Sequence, residues 1–227
     1  MKVNLENNLW HTTLIKSNFL KKIDSGLKNN QAIFWDRDGV IIKDCHYINN
    51  INQVEILSGV HKLLNYSIKK GWHNIVITNQ SGISRGYFDW KDYEKINRKM
   101  INLIDLRVTF DAIYGNGERD IINNSSWRKP SPQMLLRAKF DHKIDLNRSI
   151  LIGDRLTDLI AGQKAGLKIL CHVLTGKGLN ERDQILNHFK LKLENNNYSG
   201  IFNLGNSNQK IYLLKDLNDF DLTILKN

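Results

Sequence analysis

The chain has 227 residues, 41% of them hydrophobic, which is enough for a sizeable core and fits one domain with extensions better than two. Lysine and arginine outnumber aspartate and glutamate by 33 to 23, and the resulting formal charge of +10 favours encounter with anions such as phosphate esters, nucleic acid or acidic membrane surfaces. The two cysteines, Cys45 and Cys171, lie far apart and outside any C-x-x-C pattern, which argues against a disulfide framework or a cysteine zinc site and fits a reducing, cytoplasmic setting.

Residues 1–30 are polar and rich in Asn and Lys, and they read as an N-terminal extension. Their apolar scatter at Leu9, Trp10, Leu14, Ile15, Phe19, Leu20 and Ile23 predicts one amphipathic helix docked on the domain. No continuous apolar h-region precedes a cleavage site, and no later stretch is long enough to cross a bilayer, so neither secretion nor membrane spanning is expected.

From residue 31 a regular alternation begins. Short apolar runs of strand length at 32–35, 74–77, 111–114, 149–152 and 168–173 are separated by segments of helical period. The first predicted helix takes Ser58 as N-cap, buries Val60, Leu63, Leu64 and Ile68, and stops at Gly71. A second starts near Asp89 and shows Trp90, Tyr93, Ile96 and Met100 on one face. A third begins at Ser131 and Pro132, with proline at the first helical position, and a fourth runs from about Leu156 to Ala165 before Gly166. Strands alternating with such helices predict an α/β fold, a mostly parallel sheet covered on both faces. After Gly178 the pattern weakens through an Asn-rich stretch, until QKIYLLKDL predicts a last strand. Residues 31–178 thus form the core, and 179–227 a C-terminal extension that completes it.

Ligands of open parallel sheets bind beyond the carboxyl ends of the strands. The first strand ends in Asp36 and Asp38, the second in Thr78, Asn79, Gln80, Ser81 and Gly82, the third leads toward Arg128, Lys129 and Pro130, and the fourth ends in Gly153 and Asp154 with Asp158 one turn on. Each motif alone has an ordinary explanation: D-x-D is often a solvated turn, TNQSG is common turn composition, G-D-x-x-x-D a helix start, and Lys129 a surface lysine. Their order at successive strand ends is what carries the chemistry. Carboxylates packed that closely repel one another unless a cation neutralises them, and Mg²⁺, hard and oxygen-seeking, suits Asp36, Asp154 and the main-chain carbonyl of Asp38. Asp36 then serves as nucleophile toward phosphorus, forming an aspartyl-phosphate. Asp38 serves as the acid and base, and Thr78 and Lys129 hold the phosphoryl oxygens. Asp158 is expected to orient its neighbours or to meet the metal through water.

The segments IFWDRDGVI, IVITN, the lysine of RKP, and ILIGDRLTD resemble the four motifs of the haloacid dehalogenase (HAD) superfamily of phosphatases, over roughly residues 32–178. DRDGVI, TNQSGISRGY and RKPSPQMLL are most similar to the subgroup of heptose-bisphosphate and histidinol-phosphate phosphatases. The resemblance implies a three-layer Rossmann-like fold. It implies Asp36 as nucleophile, Asp38 as acid and base, Thr78, Arg128 and Lys129 as phosphoryl stabilisers, and Asp36, Asp38 and Asp154 as Mg²⁺ ligands. It also points to Asp44, Cys45, His46, Tyr47, Asn79, Gln80, Ser81 and Arg155 as substrate contacts. About forty residues separate Asp38 from Thr78, too few for a large cap domain, so the site is expected to be open.

Members of this subgroup carry a zinc loop just before RKP. Here the segment is GNGERDIINNSSWRKP, with Asn116, Glu118, Ser125 and Trp127 where sulfur and imidazole ligands would stand. Structural zinc needs about four such ligands, so no zinc is expected and the loop should be held by packing, with Trp127 a candidate. His46 also replaces a glycine usual in the substrate loop, and Ile42 a frequent asparagine. The leading expectation is a Mg²⁺-dependent hydrolase of a small sugar phosphate, a heptose bisphosphate or a close relative. Histidinol phosphate and a nucleic-acid 3′-phosphate are alternatives, the latter without a basic stripe interleaved with aromatics. A non-catalytic binding module would not require this full set of residues.

Overall fold

In this computed structural model the described residues are 2–4, 10–14, 29–104, 110–120, 126–194, 198–205 and 208–226. The strands are β1 (Lys2–Asn4), β2 (Trp10–Leu14), β3 (Ala32–Trp35), β4 (His73–Asn79), β5 (Ala112–Asn116), β6 (Ile150–Gly153), β7 (Ile169–His172), β8 (Gly200–Asn203) and β9 (Lys210–Leu213). The helices are α1 (Val60–Lys69), α2 (Trp90–Ile104), α3 (Gln133–His142), α4 (Leu156–Ala165) and α5 (Gly178–Phe189). All nine strands form one sheet in the order β1-β2-β5-β4-β3-β6-β7-β9-β8. From β5 to β9 the neighbours are parallel, while β2 on β5, β1 on β2 and β8 on β9 are antiparallel.

Burial explains the composition of the central strands. Every residue of β3, β5, β6 and β7 is buried, as a parallel sheet covered on both faces requires. One face packs Ile33, Trp35, Val76 and Ile152 under α1 and α2, through Val60, Leu63, Leu64, Tyr93, Ile96 and Met100. The other packs Phe34, Ile77, Leu151 and Leu170 under α3, α4 and α5, through Met134, Leu135, Leu159, Ala161 and Ile185. The result is the three-layer α/β fold expected. Between β3 and β4 the chain has room only for a 3-10 turn (Ile51–Gln53) and α1, so no cap domain intervenes there.

The chain runs from β3 outward to β4 and β5, then returns to β6 on the other side of β3. That reversal opens a crevice at the carboxyl end of β3, where Asp36 and Asp38 lie.

Several elements depart from the sequence reading. Trp10 and Leu14 belong to a strand instead of a helix; Leu9, Ile15, Phe19, Leu20 and Ile23 lie outside the described residues. The reason is the free edge of β5, whose backbone groups need partners; the β-branched Thr12 and Thr13 suit a strand there, and His11 and Thr13 are buried. Helix α1 is capped by Gly59, in a left-handed conformation at φ 84°, and Ser58 Oγ instead accepts from Asn218 Nδ2 at 2.9 Å. Its buried face includes Ser67, while Ile68 is half-buried. Pro132 is the N-cap of α3 instead of its first residue, so the helix starts one residue later than expected, whereas Asp89 does cap α2, accepting from the N–H groups of Lys91 and Asp92. Helix α5 was not anticipated beyond Gly178, because its buried face is sparse: Gly178, Arg182 and Ile185.

A Cβ on Gly59 would lie 2.7 Å from the Leu217 carbonyl carbon, so the C-terminal segment rests directly on the start of α1. Gly59→Ala should therefore cost about 1–3 kcal/mol of stability through backbone strain and overpacking, read as a lowered urea midpoint with an unchanged m-value.

Candidate active site

The carboxyl ends of β3, β4 and β6 bring the expected residues around a cavity of about 340 Å³ lined by Asp36, Asp38, Asp44, His46, Tyr47, Thr78, Asn79, Gln80, Ser81, Arg128, Lys129, Arg155 and Asp158. At its floor Lys129 Nζ lies 2.8 Å from Asp36 Oδ1 and 2.7 Å from Asp158 Oδ1, and donates to the Ile77 carbonyl at 3.1 Å. Lys129 is itself aimed by a reciprocal pair: its N–H donates to Asn79 Oδ1 at 3.0 Å, and Asn79 Nδ2 donates to its carbonyl at 3.1 Å. Burial opposes the charge on Lys129, but Asp158 and Asp36 outweigh it and hold its pKa above the ordinary lysine range.

Asp38 lies apart from this floor. Arg37, only 1% exposed, grips it from below: Nη2 donates to Asp38 Oδ2 at 2.9 Å and Nε to the same oxygen at 3.2 Å. Arg37 Nη1 donates to Asn97 Oδ1, and the guanidinium lies 5.2 Å from the Tyr93 ring centre. Gln80 Nε2 donates both to Asp38 Oδ2 and to Thr78 Oγ1, each at 2.8 Å. The sequence marks Arg37 only as the spacer of D-x-D, so its clamping role emerges from α2 packing beneath it.

The carboxylates that converge are Asp36, Asp154 and Asp158, each buried, with one oxygen apiece all within 4.8 Å of one another. Asp38's carboxylate is outside this trio, and Asp158 is committed to protein partners, with Oδ2 accepting the Arg155 N–H at 3.0 Å. Asp154 Oδ2 accepts the Lys177 N–H at 2.7 Å, while its Oδ1 is buried without a hydrogen-bond partner. Burial, reinforced by the charges of Asp36 and Asp158, pushes Asp154 up to about 9. Burial likewise raises Asp36, against the pull of Lys129. Crowded buried carboxylates with an unpartnered oxygen suit a hard divalent cation, and this donor set fits Mg²⁺.

Cys45 is not among the cavity-lining residues; its thiol faces the Gln53 carbonyl at 3.8 Å. His46 and Tyr47 both hold left-handed backbones, at φ 52° and 62°, where the loop turns into the cavity. Arg85 and Thr157, which the sequence did not single out, line the cavity as well. Arg85 sits in an exposed loop away from any strand end, and Thr157 is an ordinary first-turn residue.

The loop before Arg128 is tied to the N-terminal strand. Trp127 stacks on Trp10 with ring centres 5.1 Å apart and planes 9° from parallel. Glu118 gathers Trp10 Nε1 at 3.3 Å, Asn116 Nδ2 at 2.9 Å and the Ser126 hydroxyl, and its carbonyl accepts from Arg128 Nη1 at 3.0 Å. Ser125 lies outside the described residues.

A HAD-hydrolase-like family model matches residues 126–191, the stretch carrying Lys129, Asp154 and Asp158. The D-glycero-beta-D-manno-heptose-1,7-bisphosphate 7-phosphatase of Helicobacter pylori strain J99 is 37% identical over 144 residues, 63% of this chain and 82% of that protein. The chain belongs to the HAD phosphatases. The D-glycero-alpha-D-manno-heptose-1,7-bisphosphate 7-phosphatase of Campylobacter jejuni is 34% identical over 172 residues, 71% of this chain and 97% of that protein. Among solved structures, the D,D-heptose 1,7-bisphosphate phosphatase from B. bronchiseptica, complexed with magnesium and phosphate, superposes with a TM-score of 0.62 at 29% identity, covering 69% of this chain and 87% of that one. A Mesorhizobium loti structure at 24% identity shares the fold across 99% of this chain and 97% of its own, with a TM-score of 0.74. This HAD phosphatase is therefore an enzyme that hydrolyses phosphate monoesters, with the lysine of its third motif at the floor of the cavity.

Replacing Lys129 by methionine leaves Asp36 and Asp158 buried without their cation. In chelated buffer at pH 8 the substitution should lower unfolding stability by about 3–5 kcal/mol. The loss should shrink toward pH 5, where the uncompensated carboxylates take up protons, and denaturant titrations at the two pH values measure it.

Proposed function

We propose that this phosphatase removes one phosphate from a small sugar bisphosphate, D-glycero-D-manno-heptose 1,7-bisphosphate or a related heptose, using Mg²⁺. The observation that carries the substrate class is the positively charged part of the cavity wall. Arg85, Arg128 and Arg155 all line it, and after burial and the opposing Asp120, the positive charges of Arg155 and Arg85 help hold Arg128 below its ordinary range. Among the described residues, the carboxylate at ion-pair distance from this group is Glu181, 4.0 Å from Arg155. Three guanidiniums lining one cavity suit a second, remote phosphate on the substrate. Histidinol phosphate would bring an ammonium instead. The names of the similar enzymes agree with the bisphosphate reading.

Mg²⁺ would be held by Asp36, Asp154 and the carbonyl of Asp38. Bound there, it supplies charge neutralisation for the phosphoryl oxygens as negative charge spreads over them. Asp36 attacks phosphorus as the bond to the sugar oxygen breaks, and Asp38 gives its proton to the departing alkoxide. Asp38 Oδ2 is engaged by Arg37 and Gln80, while Oδ1 has a single 3.2 Å contact to Arg37 Nη2, which leaves Oδ1 the less encumbered oxygen for the proton transfer. In the second half-reaction Asp38 removes a proton from water, which attacks the aspartyl-phosphate, releases phosphate and regenerates Asp36. Thr78 keeps its hydroxyl proton for a phosphoryl oxygen because Gln80 occupies its lone pair, and Lys129 offers its ammonium to another.

The experiment is phosphate release from both anomers of the heptose bisphosphate, histidinol phosphate and oligonucleotide 3′-phosphates, each with Mg²⁺. The bisphosphate should give the highest kcat/KM, and Asp36→Asn should lower turnover by at least about 10³-fold. Preferred hydrolysis of histidinol phosphate or of oligonucleotide ends would replace the substrate reading, and activity surviving in Asp36→Asn would overturn the mechanism.

The Trp10–Trp127 stack and the Glu118 cluster support the further proposal that packing holds the Arg128 loop without zinc. Elemental analysis of the purified protein should find zinc well below one equivalent. Trp10→Ala should raise KM for the bisphosphate by about 10-fold while kcat stays near wild type, since the stack acts on Arg128, taken as a contact of the remote phosphate in place of the phosphoryl-stabilising role that the resemblance implies.

A further inference from the structure

Next to Asp154, among residues that do not line the cavity, runs a buried chain of hydrogen bonds that the reaction itself does not use. His172, at the end of β7 and 0% exposed, has Nε2 3.0 Å from the Asp154 carbonyl oxygen. Its Nδ1 lies 3.0 Å from Arg182 Nε, which can only donate. His172 is therefore the tautomer with its proton on Nε2, and it donates to the Asp154 carbonyl. The same guanidinium donates from Nη1 to the Tyr198 carbonyl at 2.6 Å and from Nη2 to the Leu214 carbonyl at 2.9 Å. Every guanidinium nitrogen is thus committed, two of them to backbone beyond residue 191, where the family match ends.

Helix α5 reaches Asp154 a second time. Its N-cap, Lys177, donates its N–H to Asp154 Oδ2, and Arg182 lies within the same helix. The approach is close: a Cβ on Gly178 would meet the Val173 carbonyl oxygen at 1.9 Å, and Cβ atoms on Gly39 or Gly176 would meet Asp154 Oδ2 at 2.4 and 2.2 Å. The backbone and the side chain of Asp154 are therefore held from two directions by one helix, and that helix is held by the β8–β9 segment.

We infer that His172 and Arg182 are positioning residues that tie the C-terminal β8–β9 segment to Asp154 and set the aim of its unpartnered Oδ1, and hence the affinity of the site for Mg²⁺. This rests on the reading of Asp154 as a Mg²⁺ ligand. A hydrogen-bond donor fixing a ligand residue contributes to metal affinity without touching the metal. No titration of His172 is involved; its role is to present a fixed N–H.

The test is Mg²⁺ binding by calorimetry on the full chain, alongside thermal unfolding and steady-state kinetics. Wild type sets the reference. His172→Leu should weaken Mg²⁺ binding about 10-fold or more, and His172→Gln, whose amide keeps a donor toward the Asp154 carbonyl, should stay within about three-fold. At saturating Mg²⁺, KM for the phosphate substrate should be unchanged in both. Arg182→Leu, which frees His172 to rotate, should match His172→Leu and serves if the latter does not fold. Wild-type affinity in His172→Leu or Arg182→Leu, or equal weakening in His172→Leu and His172→Gln, would overturn the relay alone. Failure of wild type to bind Mg²⁺ would overturn the Mg²⁺ reading, and the relay with it.

Discussion

The Lys129 ammonium between Asp36 and Asp158 is the contact around which the rest of the site is arranged. Buried carboxylates at this separation are unfavourable unless a cation compensates them, and a buried ammonium is equally unfavourable without anions. Each therefore requires the others to arrive in place. Asp36 comes from the end of β3, Asp158 from the first turn of α4, and Lys129 from the approach to α3. Three separate connections of the sheet must close correctly before any one of these charges is satisfied.

The sheet topology makes that closure possible. The reversal of strand order at β3 separates the α1–α2 layer from the α3–α5 layer, and the crevice receives groups from both. From the first layer, Asn97 and Tyr93 of α2 hold Arg37, which holds Asp38. From the second, the start of α4 supplies Asp158, and α5 grips Asp154 through Lys177. The proposed acid and base is thus governed by one face of the sheet, and the proposed metal ligands largely by the other. The compensated floor lies between them.

Much of this was legible in the sequence. Asp36, Asp38, Thr78, Lys129 and Asp154 stand directly at or just after strand ends, and the rule that ligands bind there is independent of any particular protein. The β3–α1 and β4–α2 units were readable because their apolar periods are strong and their boundaries carry Asp89 and Gly71, and the β6–α4 unit because Gly166 marks its end. Other features left no such mark. Trp10–Leu14 became a strand because β5 had an open edge, a condition set by a segment about a hundred residues away. Ser58 lost its capping role when Asn218 took its hydroxyl. Arg37 and Arg85 lie inside quoted motifs without a role that the motifs mark, and His172 and Arg182 lie outside any motif; the partners of Arg37, His172 and Arg182 come from other elements.

The sequence alone made the proposed chemistry readable, because carboxylates, a hydroxyl and a lysine stand at successive strand ends in an order that resembles the HAD phosphatases. It also determined the alternation of strands and helices, since hydrophobic period is a local property of the chain. The tertiary structure decided which carboxylates share the buried floor, that Asp38 turns away from it toward Arg37 and Gln80, and that Cys45 faces Gln53 instead of the cavity. It alone joined Trp10 to Trp127 and the C-terminal segment to Asp154. Those outcomes depend on contacts between residues distant in the chain, and desolvation and packing choose among such contacts only once the sheet has brought them together.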